Sequence, residues 1–230
     1  MSAVILTGVG TDVGKTVATA ALAAALAAAG RRPRVVKPIQ TGLRPGEAGD
    51  LAEVTRLAGV GDVHEFARYP DPLAPATAAR RCGATPPELG EVAARVRGLA
   101  AGRPTLVEGA GGVLVRMGGW TIADLAAELA APAVVVTGCA LGALNAAELT
   151  CEALRARGVR IAGLIIGAVP ARPDLATRLN LGELPEVTGA PILARIPDGA
   201  GAWRGRAFRA AAAGWFTARP REVGFPGPSA

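Results

Sequence analysis

Aromatic residues make up 3% of this 230-residue chain, and histidine occurs once. Few aromatics means few side chains on which single-stranded nucleic acid can stack. A lone His64 argues against a histidine metal cluster or a catalytic triad. The three cysteines, Cys82, Cys139 and Cys151, are an odd number without C-x-x-C spacing, which argues against a disulfide framework and a zinc ribbon. Cys139 and Cys151 read instead as small buried hydrophobes. Long apolar runs are also missing. The longest, over 17–29, is too short to span a bilayer, and no basic segment precedes the first apolar run, so no secretory signal and no membrane partner are expected and the chain reads as cytoplasmic. The net charge of +6 comes mostly from arginines that are scattered rather than clustered, at Arg31, Arg32, Arg80, Arg81 and from Arg204 to Arg209. That pattern describes a solvated basic surface, not a nucleic-acid face. What is abundant is alanine and glycine, so helices and sheet are expected to pack closely through small side chains.

The first chemically specific feature lies near the start. Ala3-Val4-Ile5-Leu6-Thr7 has the form of a short buried strand, and it runs through Gly8-Val9-Gly10-Thr11-Asp12-Val13-Gly14-Lys15-Thr16 into an alanine-rich helix. Strand, glycine loop, Gly-Lys-Thr and helix form a cradle for nucleotide phosphates. Glycines let backbone N–H groups turn toward an anion, and the helix N-terminus adds partial positive charge. In this reading Gly10, Thr11, Asp12, Val13 and Gly14 supply the cradle, Lys15 reaches the β- and γ-phosphates, and the Thr16 hydroxyl holds Mg²⁺. The spacing is displaced: Val9 occupies the first glycine position and Gly8 lies one residue further back.

Strands and helices alternate along the rest of the chain. Strands are predicted at Arg34–Lys37, Thr105–Glu108, Ala133–Thr137, Ile161–Ile166 and Ile192–Ile196. Helices are predicted from Asp50 to Leu57, near Glu88 to Leu99, and over Ile122–Leu129, Leu144–Arg157, Leu175–Leu181 and Ala207–Phe216. The proline-rich stretch from His64 to Ala76 reads as irregular. Continuous apolar strands separated by helices imply a mostly parallel sheet covered on both faces, an α/β fold of the P-loop NTPase class. One domain over residues 1–218 is expected, followed by a frayed tail over 219–230 with Pro220, Pro226 and Pro228.

In such a sheet, functional loops lie at the carboxyl ends of the strands. Lys37-Pro38-Ile39-Gln40-Thr41-Gly42 ends one strand, placing a second fixed cation beside the phosphate loop, where charge develops during phosphoryl transfer. Thr41 is either a hydroxyl donor to substrate or a turn residue. Val107-Glu108-Gly109-Ala110-Gly111-Gly112 ends another strand; Glu108 can reach Mg²⁺ from the sheet side, and glycines including Gly111 let substrate or phosphate approach the backbone. Asp50 is both a helix cap and the other carboxylate of a Thr16–Asp50–Glu108 cage for a hard cation.

These blocks, together with Leu141-Gly142-Ala143-Leu144-Asn145-Ala146, stand in the order and spacing of dethiobiotin synthetases, and the chain resembles that family over roughly its first 170 residues. The resemblance implies an ATP- and Mg²⁺-dependent ligase that closes the ureido ring of dethiobiotin from 7,8-diaminopelargonate and CO₂. The diamine forms a carbamate, the carbamate takes the γ-phosphoryl group to give a carbamic–phosphoric anhydride, and the second amine expels phosphate. Lys15 and Lys37 would balance charge during this sequence, and Thr11 and Thr41 would orient carbamate and amines. The resemblance further implies a homodimer in which Gly142, Leu144 and Asn145 of a partner subunit receive the substrate carboxylate. Two departures stand out. Asp12 occupies a position where many members carry glutamate. Gly167-Ala168-Val169-Pro170 stands where members often carry an asparagine that reads adenine. Gly167 and Pro197 therefore mark the expected base-binding edge, and CTP or GTP is expected to serve beside ATP. A positioning ATPase of the ParA or MinD kind is the alternative; those carry an additional early lysine in the loop, and none precedes Lys15. A non-catalytic nucleotide-binding regulator is disfavoured by the joint presence of Lys15, Thr16 and Glu108.

Overall fold

The computed structural model describes residues 2–217 together with Val223 and Phe225. Seven strands form one sheet in the order β3-β2-β4-β1-β5-β6-β7, and every ladder between neighbouring strands is parallel. The strands are β1 (Ala3–Gly8), β2 (Arg34–Thr41), β3 (Val63–Tyr69), β4 (Thr105–Gly112), β5 (Ala133–Thr137), β6 (Ile161–Val169) and β7 (Ile192–Pro197). The helices are α1 (Lys15–Ala28), α2 (Asp50–Ala58), α3 (Pro75–Arg81), α4 (Leu89–Leu99), α5 (Ile122–Glu128), α6 (Ala143–Arg155), α7 (Leu175–Thr188) and α8 (Gly205–Ala212). The expected α/β architecture, with helices on both faces of a parallel sheet, is what the chain adopts.

Period-two alternation divides the core. Along β1, Ala3 and Ile5 face one layer with Val36, Val107, Ile122, Leu125, Leu154 and Leu184, contributed largely by α4 to α7. Val4 and Leu6 face the other layer with Leu22, Leu26, Leu57 and Phe208, where α1, α2 and α8 pack. Helix α1 is buried nearly all round, and most of its buried residues are alanines. A helix without a polar face fits only between other elements, and alanines let it lie close to the sheet, with its N-terminus against the strand ends.

Strands β2, β4 and β6 run past their predicted ends at Lys37, Glu108 and Ile166 to Thr41, Gly112 and Val169, the last helix spans Gly205–Ala212 rather than Ala207–Phe216, and two further segments differ more deeply from their sequence reading. His64 to Ala76 is not irregular: Val63–Tyr69 forms the edge strand β3 in parallel register with β2, and Pro75 opens α3 at its first turn. The strand is only half-buried and carries His64, Glu65 and Arg68, so it lacks the continuous apolar run of the inner strands. Helix α7 continues past Leu181 to Thr188 despite Pro185. Its buried Thr177, Asn180, Leu184 and Thr188 supply tertiary packing that overrides local propensity. Apart from Val223 and Phe225, both fully buried beside α1 and α8, the expected tail lies outside the described residues. All three cysteines are free, with Cys139 and Cys151 buried. Among the described residues no helix is long and apolar enough to cross a membrane.

Candidate nucleotide and metal site

The loop after β1 is shaped by two left-handed residues, Asp12 at φ 57° and Gly14 at φ 86°. Gly14 caps α1 without a side-chain bond, and its carbonyl accepts from Ala18 N at 2.9 Å. Such a cap leaves the first N–H groups of α1 for a ligand. The displaced glycine has a steric cause: a Cβ on Gly8 would stand 2.7 Å from Val13 Cγ2 and 3.2 Å from Lys15 Cδ. Gly10 has open space around it, and its carbonyl instead accepts from Lys15 Nζ at 2.6 Å. Gly167 supports the loop from behind. A Cβ there would lie 2.0 Å from the Val13 carbonyl oxygen, so β6 touches the loop backbone to backbone.

The register of the sheet brings the charged residues together. Val36 pairs with Val107 and Leu6 with Glu108, which places Lys37 beside Glu108 on the α1 side of the sheet. Lys37 Nζ lies 2.9 Å from Glu108 Oε1 and 2.5 Å from Asp50 Oδ2, and donates to the Gly109 carbonyl at 3.0 Å. Thr16 Oγ1 donates to the same Glu108 Oε1 at 3.0 Å. Glu108 is wholly buried, and its Oε2 has no hydrogen-bond partner among the described residues. Burial opposes the charge on Lys37, but Glu108 and Asp50 hold its ammonium above the ordinary lysine value. Burial alone would raise the Asp50 carboxyl; Lys37 overrides it and keeps the group below the ordinary carboxylate value. Lys15 is shifted down, first by burial and then by the nearby Lys37.

A buried carboxylate oxygen without a partner is costly, so Glu108 Oε2 is matched to a cation. Thr16, Asp50 and Glu108 are oxygen donors on three elements, a set suited to a hard divalent ion that retains water and phosphate ligands. The residues present fit Mg²⁺.

An open cleft of about 800 Å³ joins these groups and is also lined by Thr11, Asp12, Gly14, Lys15, Thr41, Ala110, Gly111 and the Pro72–Pro75 segment. The structure thus brings Thr11, Lys15, Thr16, Lys37, Thr41, Asp50, Glu108 and Gly111 into one space. Gly142, Leu144 and Asn145 do not line it; they start α6, where Gly142 (φ 89°) and Asn145 are exposed. Pro197 and Gly167 are also outside it. Pro197 ends β7 and leads into the turn Ala200–Ala202, which leans on α1: a Cβ on Gly201 would lie 3.1 Å from Val17 Cγ2.

Gln40 is a site residue that sequence reasoning passed over. It is 6% exposed, its Oε1 accepts from Asp50 N at 3.1 Å, and its Nε2 donates to the Thr41 carbonyl at 3.0 Å. It therefore performs the capping expected of the Asp50 side chain, freeing that carboxylate for Lys37. The available signal was its place between Lys37 and Thr41 on a strand that ends at the cleft.

A family model described as an AAA domain matches residues 2–201. The ATP-dependent dethiobiotin synthetase BioD of Streptomyces coelicolor is 54% identical over 218 residues, covering 94% of this chain and 92% of the relative. The corresponding BioD of Saccharopolyspora erythraea is 57% identical over 204 residues, covering 88% and 90%. The chain belongs to the dethiobiotin synthetase family. Likeness of fold extends further, to the septum site-determining protein MinD of Pyrococcus horikoshii in complex with Mg-ADP. That match has a TM-score of 0.55 at 18% identity, covers 96% of this chain and 93% of the other, and shows the fold alone. Within the dethiobiotin synthetase family, the four sequence blocks of this chain thus divide spatially: three meet in the cleft and the fourth, at α6, faces outward.

Proposed function

We propose that this chain closes the ureido ring of dethiobiotin in the cytoplasm, using 7,8-diaminopelargonate, CO₂ and a nucleoside triphosphate. The observation that carries the reading is the Thr16–Glu108–Lys37–Asp50 cluster at the edge of the phosphate loop, in a chain 54% identical to named synthetases. One amine of the substrate adds to CO₂ to form a carbamate and releases a proton. A carbamate oxygen then attacks the γ-phosphorus, and the bond to the bridging oxygen of ADP breaks. The second amine attacks the carbamoyl carbon, phosphate departs, and a second proton is lost as the ring closes.

The residues act by charge and position. Lys15, held on the Gly10 carbonyl, would move onto the β- and γ-phosphates. Lys37 sits where charge gathers between carbamate and phosphoryl group, and fixed cations there stabilise the transition state without reorganisation. Thr11, Thr41 and the backbone at Gly111 orient carbamate and amines, so that three reacting groups meet within one cleft. Mg²⁺, held by Thr16, Asp50 and Glu108, would supply charge neutralisation at the triphosphate. The MinD of similar fold, solved in complex with Mg-ADP, supports a divalent ion at such a loop.

The working unit in this reading is a homodimer. The start of α6 lies outside its own cleft, and leucines stand just before it, on α6 and on the neighbouring α7, with Leu141 91%, Leu149 57%, Leu175 63% and Leu179 53% exposed. An isologous interface through this patch would give each cleft a carboxylate receptor at Gly142, Leu144 and Asn145 of the partner subunit. The base is read weakly, because Gly167 offers no side chain and is spent on the loop backbone. CTP and GTP therefore serve beside ATP.

Formation of dethiobiotin from diaminopelargonate and bicarbonate with ATP and Mg²⁺, followed by mass spectrometry, tests the reaction. Product with stoichiometric phosphate is expected. Phosphate release that ignores the diamine would overturn the assignment and favour a positioning-type ATPase.

A further inference from the structure

Helix α7 turns inward an amide that the proposed chemistry leaves unused. Asn180 is 7% exposed, and its Nδ2 donates to the Cys139 carbonyl at 3.1 Å and to the Ala140 carbonyl at 2.9 Å. Both carbonyls belong to the segment between β5 and α6, immediately before Gly142. One amide nitrogen with two hydrogens thereby fixes two consecutive peptide units. The same segment is tied on its other side, where Cys139 Sγ donates to the Ala168 carbonyl at 3.5 Å, and Ala143 N closes the turn onto Ala140 at 3.0 Å.

Packing alone does not call for an amide here. Its neighbour one turn on, Leu184, is fully buried and apolar. A buried amide is tolerable only when its hydrogens find acceptors. The acceptors Asn180 finds are carbonyls of Cys139 and Ala140, residues with little side-chain bulk to hold the segment themselves. With these carbonyls drawn toward α7, the chain turns through Gly142 at φ 89° into the first turn of α6, where Gly142 and Asn145 are exposed.

We propose that Asn180 is a positioning residue for the carboxylate receptor at the start of α6. It touches no substrate. It sets the backbone that a partner subunit would offer to the substrate tail. The inference rests on the receptor reading given above.

The test uses the full-length protein with Asn180→Leu, Asn180→Ser and, as a reference for the receptor itself, Asn145→Ala. KM for diaminopelargonate, KM for ATP and the oligomeric state are measured for each. Loss of two hydrogen bonds to a binding segment is expected to raise KM for the diamine about tenfold in either Asn180 variant, with KM for ATP within about twofold of wild type and the dimer retained. Asn180→Ser keeps a hydroxyl and room for water, so it covers the case in which the leucine variant does not fold. Hydrogen exchange of the 138–142 amides should quicken in the same variants. A folded Asn180 variant with unchanged KM for the diamine, beside an Asn145→Ala variant whose KM rises, would overturn the positioning role alone. Unchanged KM in Asn145→Ala would remove the receptor, and the inference with it.

Discussion

Lys37 Nζ stands 2.9 Å from Glu108 Oε1, with the lysine side chain 3% exposed and the glutamate wholly closed to solvent. Two opposite charges buried this deeply are interdependent, because removing either leaves the other uncompensated. Lys37→Met should therefore lose about 3–5 kcal/mol of folding stability. The double variant Lys37→Met, Glu108→Leu should recover most of that loss while remaining inactive. Urea denaturation of the two proteins decides the matter; a double variant no more stable than the single would show that the pair is not coupled.

Lys15 answers a different question, since its ammonium is held on the Gly10 carbonyl at the mouth of the cleft. Its replacement by alanine should lower kcat by a factor on the order of 10²–10³, the cost of losing one group that stabilises developing charge. The fold should persist, with a circular dichroism spectrum matching wild type. Turnover within a few-fold of wild type would detach Lys15 from the phosphates.

Asp50 contributes to the acid limit of stability, because Lys37, against the effect of burial, holds its carboxyl below the ordinary value of 3.8. A carboxyl depressed in the folded state binds fewer protons there than in the unfolded chain. Its stabilisation is fully present above pH 3.8 and disappears as the pH falls through the lower folded value. Asp50→Asn should flatten this part of the profile, so its melting temperature should fall less steeply than wild type below that pH. Parallel profiles for the two proteins would contradict the assignment.

Gly167 tests sterics rather than charge. A Cβ at 2.0 Å from the Val13 carbonyl oxygen cannot be accommodated without moving β6 or the phosphate loop. Gly167→Ala should be destabilised by about 1–3 kcal/mol and should weaken ATP, CTP and GTP alike. A loss confined to one base, measured by calorimetric titration, would make Gly167 a base-reading residue instead.

The nucleotide itself provides the complementary measurement. With most affinity drawn from phosphate and metal contacts, kcat/KM for ATP, CTP and GTP should agree within about tenfold, far below the roughly 10⁴–10⁵ of sites that hydrogen-bond a chosen group. A thousandfold preference for ATP would point to readout by backbone groups of the turn after Pro197.

The inner strands and the phosphate loop were legible because their signals are local and strong. At β5, for example, Ala133–Thr137 is an unbroken buried run, and its predicted limits match the strand. Edge strand β3 was not legible, because half-burial mixes charged and apolar residues and removes the apolar run. The convergence of Lys37, Asp50 and Glu108 could be anticipated from strand ends, but not the bond from Gln40 that caps α2 in place of Asp50. Nor did Asn180 carry a signal: a single asparagine in a helix looks like a surface residue until α7 is laid against the β5–α6 segment.

Strands β1 and β2 are made before β4, yet β4 lies between them in the sheet. A ribosome that has reached residue 100 has thus issued both lysines without the strand that joins them. The edges of β1 and β2 must stay apart until residues 105–112 arrive and thread into the slot. Pairings of that sequence separation close slowly, and the waiting edges are apolar and prone to wrong partners. The metal and phosphate centre is therefore a late product of folding, and no N-terminal fragment that stops short of β4 can possess it.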